Sequence, residues 1–465
     1  MTRDGEGSEE GRDETAATFM GLAALRVGVC LALLLENSVG GALVAAARPP
    51  ELLVYPELLG DWLPLSLPIT VGLVWLFRAL VVSALLGFWT QFCLGALCLL
   101  GVPLLGSAQL LGPTVHNMHL LWFLLLLAVA PSGRVWSVDH YLCQRSRLRS
   151  PSWSTETSGN LGAHGASALL FARLLLACVY FFPGAWKLGA NGWSWAAPER
   201  LIPLFHGKWY QFNFVPEFRV DQHPFLLQLG GLSIMLLELV FPLLVLSVKG
   251  RWLALVCGLT FHVLSAQFLG IRFMPLWLCY GVLVDWPAVL AWLRDRPVIV
   301  SRRLSIRTRS LESWRRLRTM CGSFVFWIGV CLLAGTVVQG VRGQMQSWPF
   351  ACYPTFHRVI PDELPDVMLV VRSEQGETSF PSPEQARHRS QAAWGRAWDL
   401  LGYYGTPLTQ ARLLAYTDEQ LRLRGIELTK VEVTLYEVKR SIQPEQWDNA
   451  PQLIKELGSV RLDER

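Results

Sequence analysis

The sequence predicts an all-α polytopic membrane helix bundle of about nine spans, followed by a small extracytoplasmic α+β domain. Hydrophobic residues make up 52% of the 465 positions and charged residues only 17%, whereas soluble domains average about 25% charged residues. The apolar residues are gathered in repeated runs of roughly 18 to 25 residues, each long enough to cross ~30 Å of hydrocarbon. After residue 341 the long apolar runs end and shorter, more polar patterns follow, which indicates a separate domain.

The bundle is expected at residues 18–341, after an acidic cytoplasmic tail at 1–17. This tail lacks the positively charged start of a signal peptide, so we expect the first span to be retained. The fourth apolar run is short for a full crossing, so we expect it to tilt or to be capped by neighbouring loops. The expected spans are 18–38, 69–89, 91–111, 117–132, 166–184, 224–248, 252–270, 273–294 and 322–341.

The distribution of Lys and Arg predicts the orientation in the cell membrane, because cytoplasmic loops carry an excess of both. Four arginines lie between the fourth and fifth spans, from Arg134 to Arg149, and seven lie between the eighth and ninth, from Arg302 to Arg318. The loop 186–223 is an exception, but its four basic residues are partly balanced by three acids. We therefore expect a cytoplasmic N-terminus and, with an odd number of spans, an extracytoplasmic C-terminus.

The segment 342–465 has the patterns of a soluble domain. Residues 366–372 and 431–438 are predicted strands, and the second alternates between apolar and polar positions. Residues 384–402 and 408–424 are predicted helices. About 120 residues can bury a modest core, so we expect a small α+β domain resting on the outer face of the bundle.

Several function classes have no support in the motifs. Eight of the ten cysteines lie in or at the ends of apolar spans, where cysteine behaves as a small hydrophobic residue. No spacing is typical of a zinc or redox site, so no metal is expected. There is no phosphate-binding glycine-rich loop, no nucleophile elbow, and no basic, aromatic surface for a nucleic acid partner.

Ionisable residues inside the spans need a reason, because each costs roughly 2.5–3.5 kcal/mol at a helix centre on insertion scales. One interpretation is structural: Arg26 or Arg173 would pair with Glu238 and fix helix packing. The other is functional, since a membrane histidine can bond a ligand or transfer a proton. The candidates are Arg26, Glu36, Arg78, Arg173, Glu238, His262 and Asp285, with His116 and His119 at the outer start of the fourth span.

Lys187 lies in the stretch VYFFPGAWKLGANGW, residues 179–193. We expect the fifth span to end at Pro183, because proline cannot continue a helix without losing a hydrogen bond. Lys187 would then lie at the outer membrane boundary, on the same side as His116. It could be an interfacial lysine among tryptophans, with its ammonium group among the lipid headgroups, or it could be a proton-accepting amine.

Two long stretches, HNMHLLWFLLLLAVAPSGRVWSVD at 116–139 and LLFARLLLACVYFFPGAWKL at 169–188, resemble the vitamin K-dependent γ-glutamyl carboxylases. They also resemble the wider horizontally transferred transmembrane (HTTM) domain proteins. The matching features are His116, the WSVD sequence at Trp136–Asp139, Arg173, and the GAWKL sequence at Gly184–Leu188, where the family's span leaves the membrane. A later segment, residues 261–268 with His262, looks like the family's second histidine span. The resemblance covers most of 18–341.

The resemblance implies a definite chemistry. In carboxylases of this family, the lysine matched by Lys187 deprotonates vitamin K hydroquinone, and the oxygenated quinone then removes a γ-proton from glutamate so that CO2 can add. The histidine matched by His116 assists, and His262 and Arg173 would contact the substrate. The implied cofactor is a reduced quinone, with O2 and CO2 as co-substrates, no metal, and a secreted peptide or protein as acceptor. The implied reaction types are quinol oxygenation and a carbon–carbon lyase reaction.

The chain also departs from the family. Val115 stands where the family has an asparagine, the first outer loop holds no cysteine, and the C-terminal domain is much smaller. The acceptor substrate is therefore left open. A second class of function also stays open, in which the chain is a non-enzymatic membrane scaffold whose outer domain binds a partner and whose polar residues are packing pairs.

Overall fold

The computed structural model describes most of the chain, with gaps between its helices and strands. The described residues are 3–54, 62–112, 117–147, 158–293, 319–343, 348–350, 356, 358, 360–373, 376–380, 400–401, 407–423, 431–447 and 449–462.

The described part of the chain is mostly helical, as predicted. Short 3-10 segments join several helices, including Ser107–Leu111, Gly192–Ala196 and Leu278–Val282. The helices of the bundle are α1 Arg3–Leu35, α2 Gly40–Ala47, α3 Leu67–Leu86, α4 Thr90–Gly106, α5 Met118–Val129, α6 Val138–Arg147, α7 Ser158–Asn191, α8 Pro198–Phe212, α9 Pro224–Leu244, α10 Val248–Leu269, α11 Met274–Trp277, α12 Trp286–Leu293 and α13 Phe324–Arg342.

Seven of the described helical segments are long and apolar enough to cross a membrane. The predicted span 273–294 is instead broken, because its two halves meet at an angle of 81°; counted as one crossing, it brings the number to eight. The predicted span 117–132 corresponds to α5, which has only 12 residues. Since α5 is enclosed by α1, α4, α7 and α13, it does not have to match the lipid thickness as an outer helix does.

The helix α7 does not end where the sequence suggested. It continues through Pro183 to Asn191, so the predicted end at Pro183 is wrong. Proline removes one backbone hydrogen bond, but neighbouring helices and side chains in a membrane bundle can satisfy the carbonyl that is left free. Lys187 therefore lies within the helix, on the part that packs against α9.

The C-terminal domain contains a four-stranded antiparallel sheet in the order β2-β1-β3-β4. The predicted strands 366–372 and 431–438 are confirmed within β1 and β3, and the predicted helix 408–424 is confirmed as α14. Most of the predicted helix 384–402 lies outside the described residues. The elements are β1 Glu363–Ser373, β2 Gly376–Phe380, α14 Gln410–Leu423, β3 Val431–Ser441 and β4 Gln452–Leu462.

The sheet and α14 share one apolar core. Leu369 of β1 lies opposite Leu435 of β3 in the register, and both are buried together with Leu413 and Tyr416 of α14. The alternation in the sequence places these strand residues on a single face, since successive side chains point to opposite sides of a sheet. Leu52, from the loop after α2, completes this core.

The domain rests on the bundle at two places. At the first, Arg48 Nε lies 3.4 Å from Glu419 Oε1, and Arg412 Nη1 donates to the Glu51 carbonyl oxygen at 2.6 Å. At the second, Arg219 Nη1, next to α8, lies 2.9 Å from Glu445 Oε1. The loop after α2 and the segment between α7 and α9 therefore lie at the end of the bundle that carries the domain.

The orientation in the membrane remains a prediction with a direct test. Reporters fused after Arg318 and after Arg465 should report opposite compartments, with the first cytoplasmic, because the apolar helix α13 lies between them as one crossing. Both fusion points lie outside the described residues. The assay reports only on which side of the membrane each fusion point lies. If both reporters were active in the same compartment, α13 would not cross the membrane.

Candidate functional site

A cavity of about 1100 Å³ lies in the bundle beneath α8. Its walls are formed by α7, α8, α9 and α10, together with the start of α5 and the segment 270–276. This volume is at the upper end of the range for small-molecule sites, roughly 300–1,000 Å³, and such sites typically combine apolar walls with a few polar groups. The rings of the wall include Trp195, Phe205, Phe212, Phe261 and Phe268.

The cavity reaches the side of the bundle between α9 and α10. Leu226 of α9 and Leu264 of α10 both line it, and they are 46% and 47% exposed. Both helices are candidate spans, so these leucines lie at the border between the cavity and the lipid-facing surface.

Lys187 and Glu238 form a buried ion pair in the cavity wall. The Nζ atom of Lys187 donates to both carboxylate oxygens of Glu238, at 2.6 and 2.7 Å, and lies 4.7 Å from the centre of the Trp195 ring. Lys187 is only 2% exposed and Glu238 6%. The pair is neutral as a whole, which is how two charges are tolerated in a low-dielectric interior.

The close approach of α7 and α9 at this pair depends on Gly184. A Cβ atom at that position would lie 2.7 Å from the Cβ atom of Glu238, closer than carbon atoms approach in proteins. A side chain there would push α9 away from α7 and would separate the ammonium group from the carboxylate. Gly184, three residues before Lys187, therefore allows α7 and α9 to approach closely enough for the ion pair to form.

This arrangement corrects two interpretations of the sequence. The ammonium group of Lys187 faces Glu238 and not the lipid headgroups, so the interfacial interpretation is wrong. Glu238 does not pair with either arginine: Arg26 donates to the carbonyl oxygens of Ser132 and Trp136, and Arg173 Nε donates to the Val282 carbonyl oxygen at 3.0 Å. Both arginines bond backbone groups of neighbouring segments.

A second polar group lies in the same cavity wall. The Tyr180 hydroxyl lies 2.7 Å from His262 Nε2 and also bonds the Tyr280 hydroxyl, which lies 3.0 Å from the same Nε2 atom. We call these three side chains the Tyr–His–Tyr cluster. Tyr180 precedes Lys187 on α7 by roughly two helical turns, so both face the cavity from the same side of the helix.

The Tyr–His–Tyr cluster has one more hydrogen-bond donor than it can satisfy with its own acceptors. If His262 Nε2 accepts, the neutral ring carries its proton on Nδ1, which has no hydrogen-bond partner among the described residues. If Nε2 donates instead, one of the two phenol hydrogens has no acceptor within the cluster. In either tautomer one donor remains for an oxygen atom that is not part of the cluster.

Lys208 of α8 is the second lysine of the cavity. Its Nζ atom donates to Gln211 Oε1 at 2.7 Å and lies 5.2 Å from the Phe356 ring centre and 5.9 Å from that of Phe212. Within the described part of the chain it forms no ion pair. Burial lowers the pKa of Lys208 to about 8, because desolvation disfavours the ammonium form.

The structure brings together two of the four predicted site residues. Lys187 and His262 both line the cavity, whereas Arg173 does not. His116 lies outside the described residues, although the next three residues along the chain, 117–119, line the cavity. His119 Nε2 lies 3.0 Å from the Pro275 carbonyl oxygen.

Sequence reasoning missed Tyr180, Tyr280 and Lys208. A polar residue two turns before Lys187 was a usable signal for Tyr180, since such residues share a helix face. Tyr280 and Lys208 carried no comparable signal, because Tyr280 lies in the 3-10 segment Leu278–Val282 of the broken span and Lys208 on α8, and their contacts depend on how distant segments pack. Comparison with known proteins adds no further signal: no family model, no curated protein and no solved structure matches this chain.

Proposed function

We propose that this protein is a membrane enzyme that binds a reduced quinone in the cavity and removes a proton from it at Lys187. The chemistry resembles that of the vitamin K-dependent carboxylases. The observation that carries the proposal is the position of Lys187, buried with Glu238 in the wall of a ring-lined cavity. An ion pair that served only to hold α7 to α9 would not need to face a cavity of this size.

The cavity residues fit a quinol. The aromatic and aliphatic walls suit a fused ring with an apolar tail, and the border at Leu226 and Leu264 suits a ligand that arrives from the bilayer. Tyr180 and His262 line the cavity on the side where a ring oxygen would bond, and Glu238 with Lys187 lies nearby for a hydroxyl proton. The ligand therefore meets both of the polar groups that it needs.

Glu238 explains how a buried lysine could act as a base. While Lys187 is an ammonium group it cannot accept a proton, but its own proton can move along the short hydrogen bond to the carboxylate. The result is a neutral amine next to a neutral carboxylic acid, a state without separated charges that a low-dielectric site can accommodate. The amine can then take a proton from the ligand hydroxyl, so the pair gains one proton in total.

The bound quinol would supply the reducing power for a reaction with O2, and the protein would exclude water from it. A dry site protects a strong base from quenching, and the ring-lined walls provide such a site. The resemblance adds CO2 as a co-substrate and a secreted peptide or protein as acceptor, with His116 assisting. The C-terminal domain, which rests beside α8, is suitably placed to present such an acceptor.

The test uses purified protein in lipid nanodiscs supplied with a reduced menaquinone-type quinone. We expect quinol-dependent oxygen uptake in the wild type and in the control Lys249→Gln, since Lys249 is an exposed lysine at the start of α10. Quinone should also quench the tryptophan fluorescence, because Trp195 lines the cavity. If quinone neither quenches nor supports oxygen uptake, the proposal fails and the scaffold alternative is favoured.

A further inference from the structure

The charged side chains that line the cavity do not balance. Three cations, Lys187, Lys208 and Arg272, face two carboxylates, Glu36 and Glu238, which leaves an excess of one positive charge (3 − 2 = 1). Glu238 neutralises Lys187. Among the described residues that line the cavity, Lys208 and Arg272 are then left with the single carboxylate of Glu36.

Among the described residues, Lys208 is a cation without a counterion. An ammonium group has three donors, and the described structure gives Lys208 one oxygen partner, Gln211 Oε1. Its other close neighbours are the faces of Phe212 and Phe356, which favour a cation but do not neutralise it. Lys208 is half-buried, and partial burial of such a charge is costly unless an anion joins it.

We propose that Lys208 binds the anionic head group, a carboxylate or a phosphate, of a lipid-like amphiphile whose apolar chain lies in the cavity. Two further observations support an amphiphile over a small anion. Most side chains that line the cavity are apolar, and two of them, Leu226 and Leu264, are also exposed on the outer surface of α9 and α10. Arg272 is exposed and lies at the rim as a second cation. This site rests on the cavity alone and does not depend on quinol chemistry.

The charge of Lys208 gives the site a pH dependence of known sign. Burial lowers the pKa of Lys208 to about 8, so the ammonium form is present below that pH and is lost above it. An anion should bind well at about pH 7 and poorly at about pH 9.5, with a midpoint moved upward by the bound anion. The other titratable or charged side chains that line the cavity are Glu36, His119, Tyr180, Lys187, Glu238, His262 and Arg272.

Binding can be measured in nanodiscs of neutral phosphatidylcholine, with energy transfer from protein tryptophans to a labelled ligand. The three probes are a fluorescent long-chain fatty acid, its uncharged methyl ester, and a lysophosphatidate with the same label. At about pH 7 we expect the acid to bind at least about tenfold more tightly than the ester, as for a hydrogen bond between charged groups. The tighter of the two anionic probes identifies the head group.

Two substitutions at the same position separate charge from shape. Lys208→Gln should lower the affinity of the protein for the fatty acid to its affinity for the methyl ester. Lys208→Arg keeps its charge at all working pH values and should retain tight binding at about pH 9.5, where the wild type loses it. If Lys208→Gln fails to fold, the pH profile of the wild type and the binding by Lys208→Arg still test whether Lys208 binds the head group.

Three results would overturn the assignment. The acid and the ester could bind the wild type equally, the Gln variant could bind the acid unchanged, or the wild type could bind the acid equally at both pH values. Arg272→Gln serves as the matched control at the rim and should weaken binding less than Lys208→Gln. The opposite order would place the head group at Arg272 and would also contradict the proposal.

Discussion

Replacing Glu238 with glutamine should lower the free energy of unfolding by about 3–5 kcal/mol, the range for removing one partner of a buried ion pair. The ammonium group of Lys187 would lose both of its short hydrogen bonds and would have no counterion in the wall of an apolar cavity. Lys187→Met should cost a similar amount, since it leaves the carboxylate unpaired. Unfolding in mixed detergent micelles, followed by circular dichroism, gives the free energy of each variant.

The double variant Lys187→Met/Glu238→Met is the control for this prediction. Removing both charges together avoids an uncompensated one, and replacing a buried pair by apolar side chains of similar size is often neutral or stabilising. We therefore expect a stability within about 1 kcal/mol of the wild type, or above it, and no quinol-dependent activity. If the two single effects simply added in the double variant, Lys187 and Glu238 would not be paired.

Lys187→Arg should reduce quinol-dependent oxygen uptake by about 10²-fold or more, the loss expected when a proton-transfer group is removed. Arginine keeps the positive charge and can donate to both oxygens of Glu238, so the protein should stay folded. A guanidinium group cannot give its proton to the carboxylate at working pH, so no free amine would form. Oxygen uptake and quinone quenching are measured on the same nanodisc sample.

The expected pattern for Lys187→Arg is lost turnover with quinone binding nearly unchanged. A loss of both would point to a misfolded cavity, which the unfolding measurement would reveal. An arginine variant with full activity would exclude Lys187 as the proton acceptor. The carboxylate of Glu238 would then be the remaining base of the pair, with residue 187 serving as a fixed cation.

Much of the fold could be predicted because a bilayer leaves few choices. A long apolar run has to form a helix that satisfies its own backbone hydrogen bonds, so the positions of most spans follow from hydropathy. The strands β1 and β3 follow from short alternating patterns in the same way. The break between Val282 and Trp286 was not predicted, because the segment is apolar on both sides of it.

The continuation of α7 through Pro183 also could not be predicted from the sequence. Proline weakens a helix locally, but whether the helix continues depends on what the neighbouring helices provide. Here α7 packs closely against α9 at Gly184, and that contact is set by two segments far apart in the chain. The predicted end of the fifth span at Pro183 was wrong for this reason.

The sequence by itself determined that this is a membrane protein of several apolar helices with a small C-terminal sheet, and it singled out Lys187 and His262. Only the tertiary structure decided which charges meet. It paired Lys187 with Glu238, left Arg26 and Arg173 on backbone carbonyls, and put Lys208 in the same cavity without an ion-pair partner among the described residues. The physical reason is that hydropathy is a property of each segment, whereas the partner of a buried charge depends on how distant segments pack.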